Sequence, residues 1–235
     1  MEQLLGKNYE VRVIVRSSHR LSREVLENPN TTVIEASVLD LTDEEMKEHV
    51  KDCDAVVSCL GHVGNFKGVF GQPKKLCTDA TRRLCAAIEM NSPPTPVKFI
   101  LMNTALVRNP ELDEKRTWIE RGLVTLLRHA LPPHRDNETA AQHLQQNVRK
   151  ENRHIEWCSV RPGLLINAEV SPYEIEESPL KGRPATRLNV AQFMTELIED
   201  AKLWNTWKFK MPVIMKSQAR APSIDSTSAS QPTTE

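Results

Sequence analysis

Val11-Arg12-Val13-Ile14-Val15-Arg16, followed by Ser17-Ser18, is the stretch from which the rest of the chain is read. Valines at 11, 13 and 15 alternate with Arg12, Ile14 and Arg16, and a β-branched run of this length is too short for a helix but suits a parallel strand. Downstream, strand signals recur at 32–37, 55–61, 97–102, 155–160 and 208–215. The run at 55–61 is continuously apolar, as in a strand covered on both faces, and is expected to be the most buried.

Helical signals alternate with these strands. Residues 21–28 are stopped by Asn28-Pro29-Asn30, and 43–50 follow a Thr42/Glu45 capping box. Residues 74–90 carry apolar side chains at helical spacing, with Cys77 and Cys85 inward and Arg82-Arg83 expected on the wet face. Residues 118–130 end before Pro132-Pro133, 136–149 begin with Asp136 or Asn137 as cap, and 190–203 are capped by Asn189. Residues 62–73, with Gly64, Gly68 and Gly71, read as a loop, and 168–186 as a polar loop that would set substrate identity. The alternation argues a parallel α/β sheet over residues 1–216. Residues 217–235, rich in Ser, Thr, Pro and Ala, lack the apolar surface to fold and are expected to be a disordered tail.

Ahead of the first strand stand only residues 1–10, with 3–7 resembling a last helical turn closed by Gly6. In a doubly wound sheet a central strand and a glycine-rich turn, which presents backbone N–H groups to a pyrophosphate, should come first. The expectation is therefore a Rossmann-like, doubly wound sheet that is N-terminally truncated. A misplaced start codon, a shortened isoform or a site that works without its phosphate cradle would each account for it. The second strand of such a sheet delivers its last side chain to the adenosine ribose, where an arginine pairs with a 2′-phosphate. Arg16 with Ser17 thus reads either as favouring NADP over NAD or as a solvated strand-end charge.

Composition narrows the function. With 31 Lys+Arg against 31 Asp+Glu, no general field draws the chain to nucleic acid or to an anionic membrane. No signal peptide or spanning apolar run is seen, and five scattered cysteines without a C-x-x-C fit reduced thiols in the cytoplasm. No H-E-x-x-H or i, i+4 ligand pair argues for a catalytic metal, no G-x-S-x-G for a hydrolase, and the glycines at 61–71 lack the Lys-Ser/Thr ending of a P-loop. Trp118, Trp157, Trp204 and Trp207 read as packing residues.

In order and spacing, the strand at 11–16, Asp40-Leu41, Val57-Ser58-Cys59-Leu60-Gly61, Phe99-Ile100-Leu101-Met102-Asn103-Thr104 and Ile155 through Arg161-Pro162-Gly163 resemble one group. It is the atypical short-chain dehydrogenase/reductases, which include NmrA-like regulators and biliverdin reductase B-like flavin reductases. Asn189 to Met194 fits the helix after that group's substrate loop. The resemblance implies that Arg16 and Ser17 meet the adenosine phosphate, Asp40 and Leu41 the adenine, and Cys59, Leu60 and Gly61 the ribose. Asn103 and Thr104, which are also catalytic candidates, would lie near the nicotinamide ribose, and Pro162, Gly163 and Leu164 near the carboxamide. Each has a plainer reading, Leu60 and Leu164 as core and Asp40 as a capping residue; Gly61, lacking a Cβ, is the least ambiguous.

The group's Tyr-x-x-x-Lys is absent, its place falling near His134-Arg135-Asp136-Asn137-Glu138. His134, tuned by Asp136, would stand for the tyrosine, or the stretch is only the start of a helix; Glu138 cannot do the work of a lysine. Flavin reductases of this group need little side-chain help, so the resemblance implies an NADPH-dependent reductase of a small acceptor or flavin. Its alternatives are an NADP-sensing regulatory protein with a protein partner and an inactive truncated product.

Overall fold

The computed structural model describes residues 1–62, 71–112, 122, 131–178 and 183–217. The opening valine run forms β1 (Val11–Val15), and the helices that follow are set by the signals the sequence carries: α1 (Glu2–Leu5), α2 (Arg23–Glu27) and α3 (Asp43–Val50). α3 starts on the expected capping box, Thr42 Oγ1 accepting the Glu45 N–H at 3.2 Å while Glu45 accepts the Thr42 N–H at 2.7 Å. Then come β2 (Thr31–Glu35), β3 (Ala55–Ser58), α4 (Leu76–Asn91), β4 (Val97–Met102) and α5 (Pro132–His143), which runs into a π turn, and β5 (Ile155–Pro162). The remainder is β6 (Leu165–Ile166), β7 (Tyr173–Glu176), β8 (Ala185–Thr186), α6 (Arg187–Glu199), α7 (Ala201–Trp207) and β9 (Val213–Lys216).

The sheet is mostly parallel, as expected, but among the described residues it is split. β1 pairs only with β2, while β3-β4-β5-β9-β7 form a second sheet in which β7 alone is antiparallel. Alternate residues of β4 face opposite layers. Phe99 and Leu101 pack with Met46 and Val50 of α3, Leu84 and Ile88 of α4 and Ala140 and Ala141 of α5. Ile100 packs on the other side with Val190, Phe193 and Leu197 of α6 and Trp204 of α7. The two sheet pieces share the first layer, since Ile14 of β1 and Val56 of β3 both lie against the α3/α4/α5 core. Arg12 fixes their relative direction: its Nη1 donates to the carbonyls of His49 and Lys51 at 3.0 and 2.8 Å, where the chain leaves α3 for β3. The starts of β1 and β3 are therefore at one edge and their carboxyl ends at the other.

Several expectations need correction. β3 is not the most buried strand; Ala55 and Val56 are half-buried and Val57 is 38% exposed, because one edge of β3 has no neighbouring strand among the described residues. The polar stretch at 168–186 contains β7 and β8, Tyr173–Glu176 pairing with Val213–Lys216. The helix expected at 190–203 is two helices, broken at Asp200, whose carboxylate caps α7. Thr186, not Asn189, caps α6; Asn189 is buried and its Oδ1 accepts the Ser171 N–H at 3.0 Å. α5 begins at Pro132 with Leu131 as its cap, so it starts earlier than the expected Asp136 and takes Pro132-Pro133 as its first residues. The expected helix at 118–130, most of the glycine loop and the tail lie outside the described residues. All five cysteines are free, and no helix among the described residues is long and apolar enough to cross a membrane.

Candidate functional site

The residues singled out in the sequence fall at the carboxyl edge of the strands, where ligands of α/β sheets bind. Arg16 leaves β1 exposed, with no hydrogen bond or ion pair among the described residues. Ser17 Oγ lies 2.6 Å from His19 Nδ1, and the Ser18 N–H donates to Glu35 at 3.0 Å. Hydrogen bonding from Ser18 holds the Glu35 carboxyl below its ordinary value, so this turn carries an anion as well as cations.

Asp40 is exposed in the turn after β2, and Leu41 is half-buried against the core. The turn rests on Arg83, which does not lie on a wet face as the helical pattern suggested. Its guanidinium donates to the Val38 carbonyl at 2.8 Å, to the Leu41 carbonyl and to Asp43 Oδ1 at 3.0 Å. After β3, Cys59 is exposed, Leu60 packs on the core and Gly61 is exposed. A Cβ on Gly61 would meet no heavy atom within 4 Å, so the protein's own packing does not require glycine there. Gly163 is different: its Cβ would lie 2.1 Å from the Arg183 carbonyl oxygen. Pro162 is buried, while Leu164 is 74% exposed and is not core.

Asn103, buried at the end of β4, joins that strand to α5, its Nδ2 donating to the Asn137 carbonyl at 3.0 Å while its Oδ1 accepts the Thr104 N–H at 2.9 Å. α5 presents a group the sequence reading placed differently. Asp136 does not cap its own helix. Its carboxylate reaches the first turn of α4, accepting the N–H groups of Cys77 at 2.7 Å and Thr78 at 2.9 Å, and pairs with His62 Nε2 at 2.8 Å. Burial works to raise the Asp136 carboxyl, but the hydrogen bonds from Thr78, His62 and Cys77 outweigh it and hold the group below its ordinary value. His134 is buried in the first turn of α5.

His62 was not found from the sequence because its partner lies 74 residues away. The only local signal was its place directly after Gly61 at the end of an apolar strand. The His62–Asp136 pair adjoins a cleft of about 790 Å³ lined by Lys74, Lys75, Thr78, Arg135, Asp136 and Thr139, at the N-terminal ends of α4 and α5. Two helix N-termini and three cations give the cleft a positive character suited to anions.

Ligand atoms of His62, Cys77 and Asp136 lie within 4.8 Å of one another, a spacing a metal ion could use. The surroundings oppose it. Asp136 is already engaged by the α4 amides, helix N-termini disfavour a cation, and burial pushes the Cys77 thiol up, away from the thiolate a metal needs.

No curated protein matches the sequence. Solved structures do. A Rossmann-fold NAD(P)-binding family protein from Shigella flexneri is 16% identical with a TM-score of 0.61, the match covering 100% of this chain and 90% of that one. A short-chain dehydrogenase/reductase from Veillonella parvula, solved in complex with NADP, is 14% identical with a TM-score of 0.67, covering 92% and 87%. A candidate NADH-flavin reductase from Streptococcus pneumoniae is 13% identical with a TM-score of 0.60, covering 92% and 91%. At these identities the likeness establishes a Rossmann-like fold. A family model described as NAD(P)H-binding matches residues 1–201, and with that span of the chain matched, the protein belongs to the NAD(P)H-binding family.

Proposed function

We propose that the protein is an NADP-preferring reductase of a small conjugated or quinonoid acceptor or a flavin. The observation that carries the reading is that an open Arg16, the Asp40 turn, a basic cleft and the buried His62–Asp136 pair all follow the carboxyl ends of strands or lie beside residues that do. The residues present fit the adenosine end of the cofactor best. Arg16 and Ser17 take the 2′-phosphate, Asp40 and Leu41 border the adenine, and Cys59, Leu60 and exposed Gly61 leave room for a ribose. Asn103 and Thr104 border the nicotinamide ribose, and Pro162, Gly163 and Leu164 the carboxamide. The bound nicotinamide supplies the hydride. Asp136, kept anionic, holds His62 at 2.8 Å with a proton between them. Lys74, Lys75 and Arg135 draw an anionic acceptor into the cleft. Five free thiols fit a reducing, cytoplasmic setting.

The test is a thermal melt of the chain with NADPH and with NADH, followed by NADPH consumption with FMN and with a benzoquinone. Ligand at a hundredfold over its dissociation constant adds about 2.7 kcal/mol, a readable shift. A larger shift with NADPH, followed by consumption, supports the reading. A shift without consumption by either acceptor replaces it with a regulatory, cofactor-sensing role, and no shift with either nucleotide overturns it.

A further inference from the structure

Charge balances over the whole chain but not at every place on its surface. Lys74 and Lys75 stand directly before α4 and Arg135 near the start of α5, and all three line the cleft of about 790 Å³ between those helix starts. Their side chains are exposed and, among the described residues, make no hydrogen bond or ion pair. Elsewhere Lys150, Lys208 and Lys210 each meet a glutamate. Asp136, the carboxylate in the lining of the cleft, does not neutralise the three cations, since its oxygens accept the Cys77 and Thr78 N–H groups and meet His62 Nε2. The helix ends add little. Those two α4 N–H groups are spent, Pro132 and Pro133 have none, and the His134 N–H donates to the Leu131 carbonyl at 3.0 Å. The donors to spare are therefore the three cationic side chains.

We propose that this cleft is the seat of a phosphomonoester carried by the electron acceptor and held by Lys74, Lys75 and Arg135. A carboxylate brings one charge and two oxygens to three cations, whereas a phosphomonoester brings close to two charges and three strong acceptor oxygens. The planar Arg135 guanidinium can bind two of those oxygens at once, and the two lysines act on the rest as point charges. The volume suits a small molecule. A nucleic-acid backbone would need basic charge spread along a face, and 31 Lys+Arg against 31 Asp+Glu supply no such field.

The cleft also lies where an acceptor's charged arm can reach it. Asn103, at the end of β4, donates from Nδ2 to the Asn137 carbonyl at 3.0 Å, and Asn137 is two residues along α5 from Arg135, about 3 Å of helix rise. A ring held beside Asn103 and Thr104 therefore has the three cations close by. The assignment of the phosphate to an acceptor rests on the reductase reading above. The anion subsite does not, and one arm of its test uses no nucleotide.

In the first arm inorganic phosphate is titrated onto the 235-residue chain and its phosphorus NMR line width is followed, for the parent, Lys74→Ala/Lys75→Ala, Arg135→Ala and Arg16→Ala. The parent should broaden the line, with affinity at least about tenfold weaker in the Lys74→Ala/Lys75→Ala and Arg135→Ala variants and unchanged in Arg16→Ala. All three cleft side chains are exposed, so the melting temperatures of these variants should match the parent and separate lost binding from lost fold. No broadening by the parent, or broadening that survives Lys74→Ala/Lys75→Ala, overturns the subsite. In the second arm NADPH consumption is compared with FMN and with riboflavin, which share a ring and differ by the phosphate. The expected kcat/KM is at least about tenfold higher with FMN, the ratio falling to about one in Lys74→Ala/Lys75→Ala. Equal values in the parent overturn the acceptor assignment and leave the reductase reading standing. No consumption with either flavin also overturns that assignment, and the benzoquinone assay above then decides the reductase reading by itself.

Discussion

β3 and β5 make an instructive pair. Three of the four residues of Ala55-Val56-Val57-Ser58 are apolar, yet none of those three is buried. Ile155 to Pro162 carries Glu156, Ser159 and Arg161, yet seven of its eight residues are buried. The difference lies in their neighbours. β5 is paired with β4 on one edge and β9 on the other and is covered by helices on both faces, whereas among the described residues β3 is paired on one edge only. Arg161 shows how far a surrounded strand can carry polarity. With no measurable exposure, it donates from Nε to the Met211 carbonyl at 2.8 Å, from Nη1 to Val107 at 2.8 Å and from Nη2 to Glu177 at 2.7 Å, tying β5 to three other segments.

The comparison can be broken or sharpened by substitution. Arg161→Ala should have the largest effect, at least about 3 kcal/mol in chemical denaturation, because it strands the buried carbonyls of Met211 and Val107 and releases the Glu177 segment. A loss below about 1 kcal/mol would mean that water replaces the guanidinium and that β5 is less enclosed than it looks. Ile100→Ala in β4 should cost about 3 kcal/mol and Val57→Ala in β3 less than about 1 kcal/mol, although both are aliphatic truncations in neighbouring strands. Equal losses would show that β3 is as enclosed as β4.

Asp136→Asn should cost about 1–2 kcal/mol near neutral pH by weakening charge-assisted bonds to the α4 amides and His62. The sign of its pH dependence follows from the carboxyl being held below its unfolded value. Its contribution is complete above about pH 4, the unfolded range, and is lost as pH falls through the depressed folded value. Stability curves of parent and variant should therefore converge in acid; parallel curves would show that the carboxylate charge does not stabilise the fold. Arg16→Ala should be the smallest perturbation of the fold, leaving the melting temperature of the unliganded protein unchanged. It should weaken NADPH binding about tenfold and leave NADH alone. Equal weakening of both nucleotides would remove Arg16 as the reader of the 2′-phosphate.

Much of the fold could be read locally. The β-branched run at β1, the capping box of α3, the α4 stripe with Cys77 and Cys85 inward, and β4 at its observed limits all rest on near-neighbour chemistry. The site was legible only in part. Arg16, Asp40, Gly61 and Asn103 could be placed because they follow strands, and strand ends are where a parallel sheet presents side chains. Arg83 and Asp136 were misread because helical periodicity says which face a residue occupies but not what a distant turn or helix end will put there. The halves of the broken helix at Asp200 and the antiparallel β7 were missed for a related reason. β7 is a short edge strand stabilised by β9 rather than by its own composition.

The sequence by itself determined the alternation of strands and helices, the residues that follow each strand and the even balance of charge, because these depend on periodicity, propensity and counting. Only the tertiary structure decided the His62–Asp136 pair, the burial of Arg161, the clash that makes Gly163 obligatory and the one-sided pairing of β3 among the described residues. Each of those is a relation between residues far apart in the chain, and its energy depends on which groups the fold removes from water together, a quantity no local stretch contains.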